Sequence, residues 1–305
     1  MTRDIAHASE APTISDICDF KSPISRSRWT CGWIGWRIIS TSMAATIETK
    51  VTVFLSQRAK TRTALSLMIF GTVLSDMVMA GDDAPHWTYK GDTGPEHWAE
   101  LSPDYVTCGI GVHQSPVDIV NTIAAKLDPL VFDYQSRGTE IVNNGHTLQV
   151  NAEPGSELRV GGEIFELLQI HVHSPSEHRI NGEAFPLEAH FVHQDAQGSL
   201  AVVAVLFRSG AWNEYLAKIG NEAPEVGRSA TIDLDFRTLP IYHDHLSYYR
   251  YSGSLTTPPC TEGVRWFVLK AVTTASPAQA ATFVSFIGED ARGPQPINAR
   301  VIIEH

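Results

Sequence analysis

The feature that most constrains the fold is a pair of histidines in the segment Leu168–His178, which reads LQIHVHSPSEH. His171 and His173 are two residues apart, and because successive side chains of a strand alternate between its faces, both imidazoles project from one face. His190 lies on a second predicted strand, in the segment LEAH. Three neutral imidazoles that converge from two neighbouring strands would hold a zinc ion (Zn²⁺) and leave its fourth position for water, which is the ligand count of a catalytic zinc.

The residues beside these histidines favour a metal site over the simpler alternative. An H-x-H pair alone is more often a surface feature or a pair of hydrogen-bonded core groups. Gln169 shares a face with His171 and His173, and Glu188 shares a face with His190, so each can accept the distal N–H of a histidine. Metal-bound histidines usually have such partners, which fix the tautomer and the ring orientation.

Strand signals dominate residues 81–305. Short helices are predicted near Trp212–Ile219 and Ser276–Phe286. The strand-like segments alternate or run apolar, are rich in β-branched residues, and are separated by Gly, Asn, Asp and Pro: EIVNNGHTLQVNA, ELRVGGEIFELLQIHVHS, PLEAHFVHQD and LAVVAVLFRSG. The pattern predicts a mainly β (α+β) domain, mostly antiparallel, with peripheral helices.

Charge is distributed unevenly along the chain. Residues 1–80 carry nine basic and six acidic side chains, whereas residues 81–305 carry 14 basic and 28 acidic ones. Acidic surfaces repel nucleic acid and anionic lipid, so neither is an expected partner.

A signal peptide is predicted over residues 58–80. Basic side chains between Arg58 and Arg62 precede the twelve-residue apolar run Thr63–Leu74, and Val78–Ala80 offers small residues for cleavage before a polar segment. Twelve apolar residues are too few to span a bilayer, so we expect no stable membrane span after cleavage. A buried helix is the alternative interpretation. The mature chain, residues 81–305, is expected to be periplasmic or secreted.

Residues 1–57 show no clear periodic pattern. They are predicted to be a disordered extension or the product of a start codon assigned too early, with Met43 as an alternative start. Trp29, Trp33 and Trp36 are spaced like one helical face, or the spacing is coincidental.

Two of the four cysteines favour a disulfide. Cys18 and Cys31 precede the predicted cleavage site, whereas Cys108 and Cys260 remain as an even pair in an exported chain.

Several motifs, in family order, resemble the alpha-class carbonic anhydrases and in particular their secreted bacterial branch. The resemblance covers roughly Trp87 to His305, and its motifs are GPEHW, QSPVDI, NNGHTLQV, the histidine segment, PLEAHFVH, GSLTTPPC and QPINAR. It implies a large twisted central sheet of about ten strands, with the metal at the bottom of a cone formed on that sheet. Cys108 and Cys260 match the cysteines that pair in bacterial members.

The resemblance also implies the chemistry. Zinc held by the three histidines would lower the pKa of its water to near neutrality, the property for which carbonic anhydrases are the standard example, so that hydroxide attacks carbon dioxide and bicarbonate and a proton leave. Thr256 matches the residue that orients the hydroxide, and Glu177 matches the carboxylate that accepts from Thr256. Thr257 matches the residue beside bound bicarbonate.

Further positions match family residues around this centre. His146 matches the proton shuttle, and an unperturbed histidine titrates near neutrality, as a shuttle requires. Asn298 matches the residue whose carbonyl supports His173. The remaining matches are the carbon dioxide pocket (Val192, Val202, Leu255, Val264 and Trp266), the residues that order a water chain (Tyr89 and Asn144) and the polar cavity lining (Gln149 and Gln169).

Other histidines are interpreted as non-catalytic. His193 is at an odd offset from His190, so it points to the opposite face of the strand and is predicted to be structural. The others in this class are His113, His178, His243 and His245. Ile170 and Val172 stand where many relatives carry aromatic residues, which predicts altered packing behind the sheet.

Two other function classes are compatible with parts of the pattern. A non-catalytic binding or adhesion protein could use the same fold, but such relatives typically lose a zinc histidine, and all three are present here. A different zinc hydrolase is the other class, and esterase activity could accompany the hydratase. The oligomeric state is not defined by the sequence, and a homodimer is compatible with it.

Overall fold

The computed structural model describes residues 85–239, 241 and 246–305. The predictions for residues 1–57 and for the signal peptide at 58–80 lie outside the described residues, and so do His243 and His245. In the described part of the chain, no helix is both long and apolar enough to cross a bilayer.

Short strands make up most of the described chain. They are β1 (Asp118–Ile119), β2 (Ile123–Ala124), β3 (Val131–Tyr134), β4 (Arg137–Asn143), β5 (Leu148–Ala152), β6 (Ser156–Val160), β7 (Glu163–His173), β8 (Arg179–Ile180), β9 (Glu183–Ala184), β10 (Leu187–Gln194), β11 (Leu200–Ser209), β12 (Arg228–Asp235), β13 (Tyr248–Ser254), β14 (Glu262–Leu269), β15 (Thr273–Ala275) and β16 (Ile303–Glu304).

Helices lie between the strands and are short. The α-helices are α1 (Trp98–Leu101), α2 (Thr107–Ile110), α3 (Glu214–Asn221) and α4 (Pro277–Ile287), and single 3₁₀ turns occupy Gly91–Thr93, Pro103–Tyr105 and Phe236–Thr238. Asn213 caps α3, and Ser276 with Gln279 forms a capping box at the start of α4. These caps begin the two helices close to the positions predicted from the sequence.

One sheet of 13 strands dominates the fold. Ten of them follow the path β12-β4-β5-β7-β10-β11-β14-β13-β16-β2, while β3, β6 and β15 join beside it. Most neighbours are antiparallel, and β11–β14, β11–β15 and β16–β2 are parallel. This confirms the prediction of a large, mostly antiparallel sheet with short peripheral helices. A second sheet contains β1, β8 and β9.

Alternation along the central strands separates an apolar face from a polar one. Ile170 and Val172 of β7 enter the larger core cluster together with Ala189 of β10. His171 and His173 alternate with them along β7 and therefore point to the other face.

Behind the histidine-bearing strands lies a small apolar cavity. Its volume is about 30 Å³, and Ile170, Val172 and Ala189 line it together with Leu216 and Ile219 of α3. It is located where altered packing was predicted.

A disulfide joins Cys108 of α2 to Cys260, which follows β13, with the two Cα atoms 5.0 Å apart. The predicted pairing is therefore present. It links the loop that carries Thr256 to a segment 152 residues earlier in the chain.

Candidate metal centre

Three histidines meet on the polar face of β7 and β10. The antiparallel register places His190 directly opposite His171, and Glu188 opposite His173. Ring centroids are 4.9 Å apart for His171 and His173, 5.1 Å for His171 and His190, and 4.7 Å for His173 and His190. One nitrogen from each ring lies within 4.8 Å of the others. His173 and His190 are buried, and His171 is half-buried.

Hydrogen bonds fix the orientation of two of these rings. His171 Nδ1 lies 2.8 Å from Gln169 Oε1, and His190 Nε2 lies 2.8 Å from Glu188 Oε1. The structure thus places Gln169 and Glu188 beside the histidines with which they share a strand face. These bonds leave Nε2 of His171 and Nδ1 of His190 for a metal.

The third ring is held by a residue that the sequence did not indicate. His173 Nδ1 lies 2.9 Å from the backbone carbonyl oxygen of Asp290. The prediction that Asn298 supplies this carbonyl is wrong, because the side chain of Asn298 donates to the carbonyl of Val112 (2.8 Å) and is largely exposed. The carbonyl that holds His173 therefore comes from Asp290, which lies eight residues before Asn298 in the chain.

The nitrogen set fits a metal ion. Once Nδ1 of His173 is bonded, its Nε2 is buried and has no hydrogen-bond partner in the structure. A buried, unpartnered nitrogen is costly unless something binds it. Three imidazole nitrogens with fixed orientations match the donor set of a catalytic zinc site.

Protonation of the three rings differs. Burial and the neighbouring histidines hold the pKa of His171 well below its usual value, and burial lowers the pKa of His190. Burial also acts to lower the pKa of His173, but the carboxylates of Glu177 and Asp290 outweigh it and raise the pKa to about 10. A metal ion binds the neutral form of each of these rings.

Glu177 places a buried carboxylate beside two of the three rings. Its Oε1 accepts from the backbone N–H of Arg292 (3.0 Å), and its Oε2 lies 3.6 Å from His173 Nε2 and 3.9 Å from His190 Nδ1. Oε2 has no hydrogen-bond partner. The predicted hydrogen bond from Thr256 to Glu177 is therefore not formed, because Oε2 faces the imidazole nitrogens instead.

Comparisons with known proteins agree with this geometry. Residues 93–304 match the family model described as "Eukaryotic-type carbonic anhydrase". The chain belongs to the alpha carbonic anhydrase family. It is 44% identical to a carbonic anhydrase of Pectobacterium carotovorum over 223 residues, which is 72% of this chain and 91% of the relative. The family match and these relatives identify the chain as a carbonic anhydrase, a class of enzyme that hydrates carbon dioxide.

Solved structures of alpha-carbonic anhydrases are also similar to this chain. The alpha-carbonic anhydrase of Photobacterium profundum aligns with a TM-score of 0.67 and 45% identity, covering 72% of this chain and 100% of that one. The alpha-carbonic anhydrase of Thermovibrio ammonificans, solved with the inhibitor sulfanilamide, aligns with a TM-score of 0.69 and 43% identity, covering 72% and 99%.

Beside the histidines, the carbonic anhydrase fold presents an apolar wall. The Trp266 ring centroid is 4.9 Å from that of His190. The predicted pocket residues fall in one cluster on this face, and they are Val192, Val202, Leu255, Val264 and Trp266. Thr256 is buried and Thr257 half-buried in the loop that follows.

His146 occupies the turn between β4 and β5. Its ring stacks on Trp87 with centroids 3.7 Å apart and planes 9° apart, and His86 lies 6.2 Å away. Burial, followed by repulsion from His86, lowers the pKa of His146. Asn144 Oδ1 accepts from the backbone N–H of His146 (2.9 Å) and of Thr147 (2.9 Å) and so holds this turn.

Three further residues that were named from the sequence, Tyr89, Gln149 and His193, lie in different environments. The Tyr89 hydroxyl is buried without a hydrogen-bond partner, and burial raises its pKa well above the usual value. The Gln149 side chain donates to Asn151 Oδ1 at 2.7 Å. His193 lies on the far face of β10, where its Nε2 is 2.6 Å from the hydroxyl of Tyr134 and burial lowers its pKa to about 4.

Sequence reasoning missed a buried chain of groups behind Glu188. His178 Nδ1 lies 2.6 Å from Glu188 Oε1, and His178 Nε2 lies 2.6 Å from the Tyr251 hydroxyl. The backbone N–H of His178 also donates to Glu188 Oε2 (2.8 Å). His178 thus supports the partner of a proposed metal ligand, although it was interpreted only as non-catalytic.

Proposed function

We propose that this carbonic anhydrase binds one zinc ion through His171, His173 and His190 and uses it to hydrate carbon dioxide reversibly to bicarbonate and a proton. When bound, zinc lowers the pKa of water to near neutrality and so supplies the nucleophile. The observation that supports this most strongly is the convergence of three oriented histidine nitrogens, one of them buried and unpartnered.

The chain's own residues would hold an apolar substrate beside this centre. Carbon dioxide carries no charge, so an apolar wall is the appropriate surface for it. Val202 and Trp266 are paired across β11 and β14, and Trp266 contacts the ring of His190. The indole N–H of Trp266 donates to the carbonyl of Ser254 at 3.0 Å, which leaves its ring to form the wall.

Glu177 and Thr256 would select the nucleophile. A carboxylate that is held by the Arg292 N–H at one oxygen has its other oxygen available to accept from a hydroxyl. We propose that the Thr256 hydroxyl donates to this Oε2 when the centre is loaded and in turn accepts from the nucleophile. An anion with no proton to donate would leave Thr256 unsatisfied, which disfavours its binding.

His146 would carry the proton to solvent. Its lowered pKa favours the neutral imidazole, which is the form that can accept a proton. The ring is partly exposed at the tip of its turn and therefore reachable by buffer. Tyr89, Asn144 and Gln149 are the polar groups that we propose order the intervening water.

Replacing His146 with alanine separates proton transfer from the chemical step. His146→Ala should slow carbon dioxide hydration at low buffer by up to about 100-fold. This is the smallest factor that a positioned proton-transfer group typically contributes. Exchange between carbon dioxide and bicarbonate at chemical equilibrium should stay near normal, and added imidazole should restore part of the lost rate.

The matched control is His113→Ala, which removes an exposed histidine that was interpreted as non-catalytic. It should leave hydration at low buffer close to that of the unmodified protein. An equal loss of hydration and of equilibrium exchange in His146→Ala, with no response to imidazole, would show that His146 is structural.

Export of the chain is also part of the proposal. We propose that residues 58–80 are removed and that the enzyme acts in the periplasm or outside the cell. The disulfide between Cys108 and Cys260 supports this, because such bonds persist in oxidising compartments. N-terminal sequencing of the natively produced protein should find a first residue near Gly81, whereas a cytoplasmic product that retains residues 1–80 would contradict export.

A further inference from the structure

Asp290 makes three hydrogen bonds to the segment that carries His173. Its carbonyl accepts from His173 Nδ1 at 2.9 Å, its backbone N–H donates to the Ser174 carbonyl at 3.0 Å, and its Oδ1 accepts from the Ser174 N–H at 2.6 Å. The residue is 0% exposed. These contacts lock the start of the loop after β7 to the segment after α4.

None of these three bonds requires a negative charge. Two of them use the backbone of Asp290, and the third uses one side-chain oxygen, which an amide would also provide. The second carboxylate oxygen, Oδ2, is buried without a hydrogen-bond partner and lies 3.4 Å from His173 Nδ1. Burying a carboxylate with an unpartnered oxygen costs free energy, and a cation nearby would offset that cost.

His173 is flanked by two such oxygens. Glu177 Oε2 lies 3.6 Å from Nε2 of the same ring and is also buried and unpartnered. A divalent cation bound to His173 would bring positive charge close to both oxygens.

We propose that the Asp290 carboxylate is a positioning residue that, through His173, strengthens the hold of the site on its metal ion. Negative charge behind the Nδ1–H of an imidazole raises the basicity of the opposite nitrogen, which is the one that would ligate. This inference rests on the metal binding of the proposed function and does not depend on its hydration step.

The test is the rate at which zinc leaves the purified, zinc-loaded protein in the presence of excess chelator. Asp290→Asn keeps the size of the side chain and an oxygen for the Ser174 N–H, but removes the charge. It should release zinc about tenfold faster, since changes in the outer partners of metal ligands typically cost 10–100-fold in affinity. Glu289→Gln is the matched control, because the neighbouring carboxylate is exposed and pairs with Lys90, and it should release zinc at the original rate.

Asp290→Glu separates charge from shape. It keeps the negative charge in a longer side chain, so its zinc release should be closer to that of the unmodified protein than that of Asp290→Asn. Release from Asp290→Asn at the unmodified rate, or from Asp290→Glu as fast as from Asp290→Asn, would overturn the inference. Faster release from Asp290→Asn in a protein that does not hydrate carbon dioxide would support this inference while contradicting the proposed function.

Discussion

His173→Ala should leave the protein almost free of zinc and without most of its carbon dioxide hydration. The substitution removes one of three proposed ligands, so metal affinity should fall by more than the roughly 10–100-fold that is typical when only an outer partner is lost. It also leaves the carboxylates of Glu177 and Asp290 without the imidazole that lies between them. Metal content and stopped-flow hydration of the same preparation measure both effects.

A histidine away from the centre provides the control for this experiment. His113 is exposed and was interpreted as non-catalytic, so His113→Ala should keep full zinc content and activity. Full zinc occupancy and normal hydration in His173→Ala would refute the assignment of the ligands.

Loss of the disulfide should produce the second large effect, on stability. The bond closes a loop of 152 residues, and the chain-entropy model gives roughly 5 kcal/mol for so long a loop, an upper figure because native strain and residual unfolded structure reduce it. The reduced protein is therefore expected to melt at a lower temperature.

Activity should fall with the disulfide for a separate reason. The backbone around the bond is connected to the catalytic loop: the Cys260 N–H donates to the Thr257 carbonyl at 2.8 Å, and Arg292 donates to the Cys108 carbonyl at 3.0 Å. Arg292 in turn holds Glu177. Opening the bridge should therefore displace Thr256 and Glu177 while leaving the zinc ligands in place.

Thermal melting, zinc content and hydration of Cys108→Ser and of Cys108→Ser/Cys260→Ser measure these effects. Both variants should melt earlier and lose activity while keeping zinc. Mass spectrometry of the non-reduced exported protein should show the linked peptides. Two free thiols in that sample, or unchanged melting in the double variant, would contradict the prediction.

Local periodicity was sufficient to predict the part of the centre that lies within two strands. Alternation in LQIHVH and LEAH places Gln169 beside His171 and Glu188 beside His190, because a residue two positions away on a strand shares its face. The motifs that follow in family order predicted the fold, since their order along the chain is a property of the whole domain.

Contacts between distant segments could not be predicted in the same way. Asp290 is 117 residues from His173, and a backbone carbonyl can come from any residue, so nothing in the side chains marks Asp290 as the partner. The nearby motif QPINAR directed the prediction to Asn298 instead. The bonds from Glu188 through His178 to Tyr251 also depend on tertiary packing that no local pattern specifies.

Side-chain orientation was the other limit. Glu177 lies next to the centre as predicted, but its Oε2 faces His173 and His190 and has no bond from Thr256. The motif match predicted where the backbone of Glu177 lies. It did not predict the rotamer of Glu177, which depends on the charged groups around the side chain.

Stopped-flow hydration of carbon dioxide as a function of zinc occupancy tests the central claim most directly. The purified protein would be stripped with chelator and reloaded in steps, and activity would be measured at each step. The expected result is hydration that is negligible without metal, rises in proportion to bound zinc and saturates at one zinc ion per chain. Hydration that persists in the stripped, folded protein, or a fully loaded protein that does not hydrate carbon dioxide, would contradict the claim.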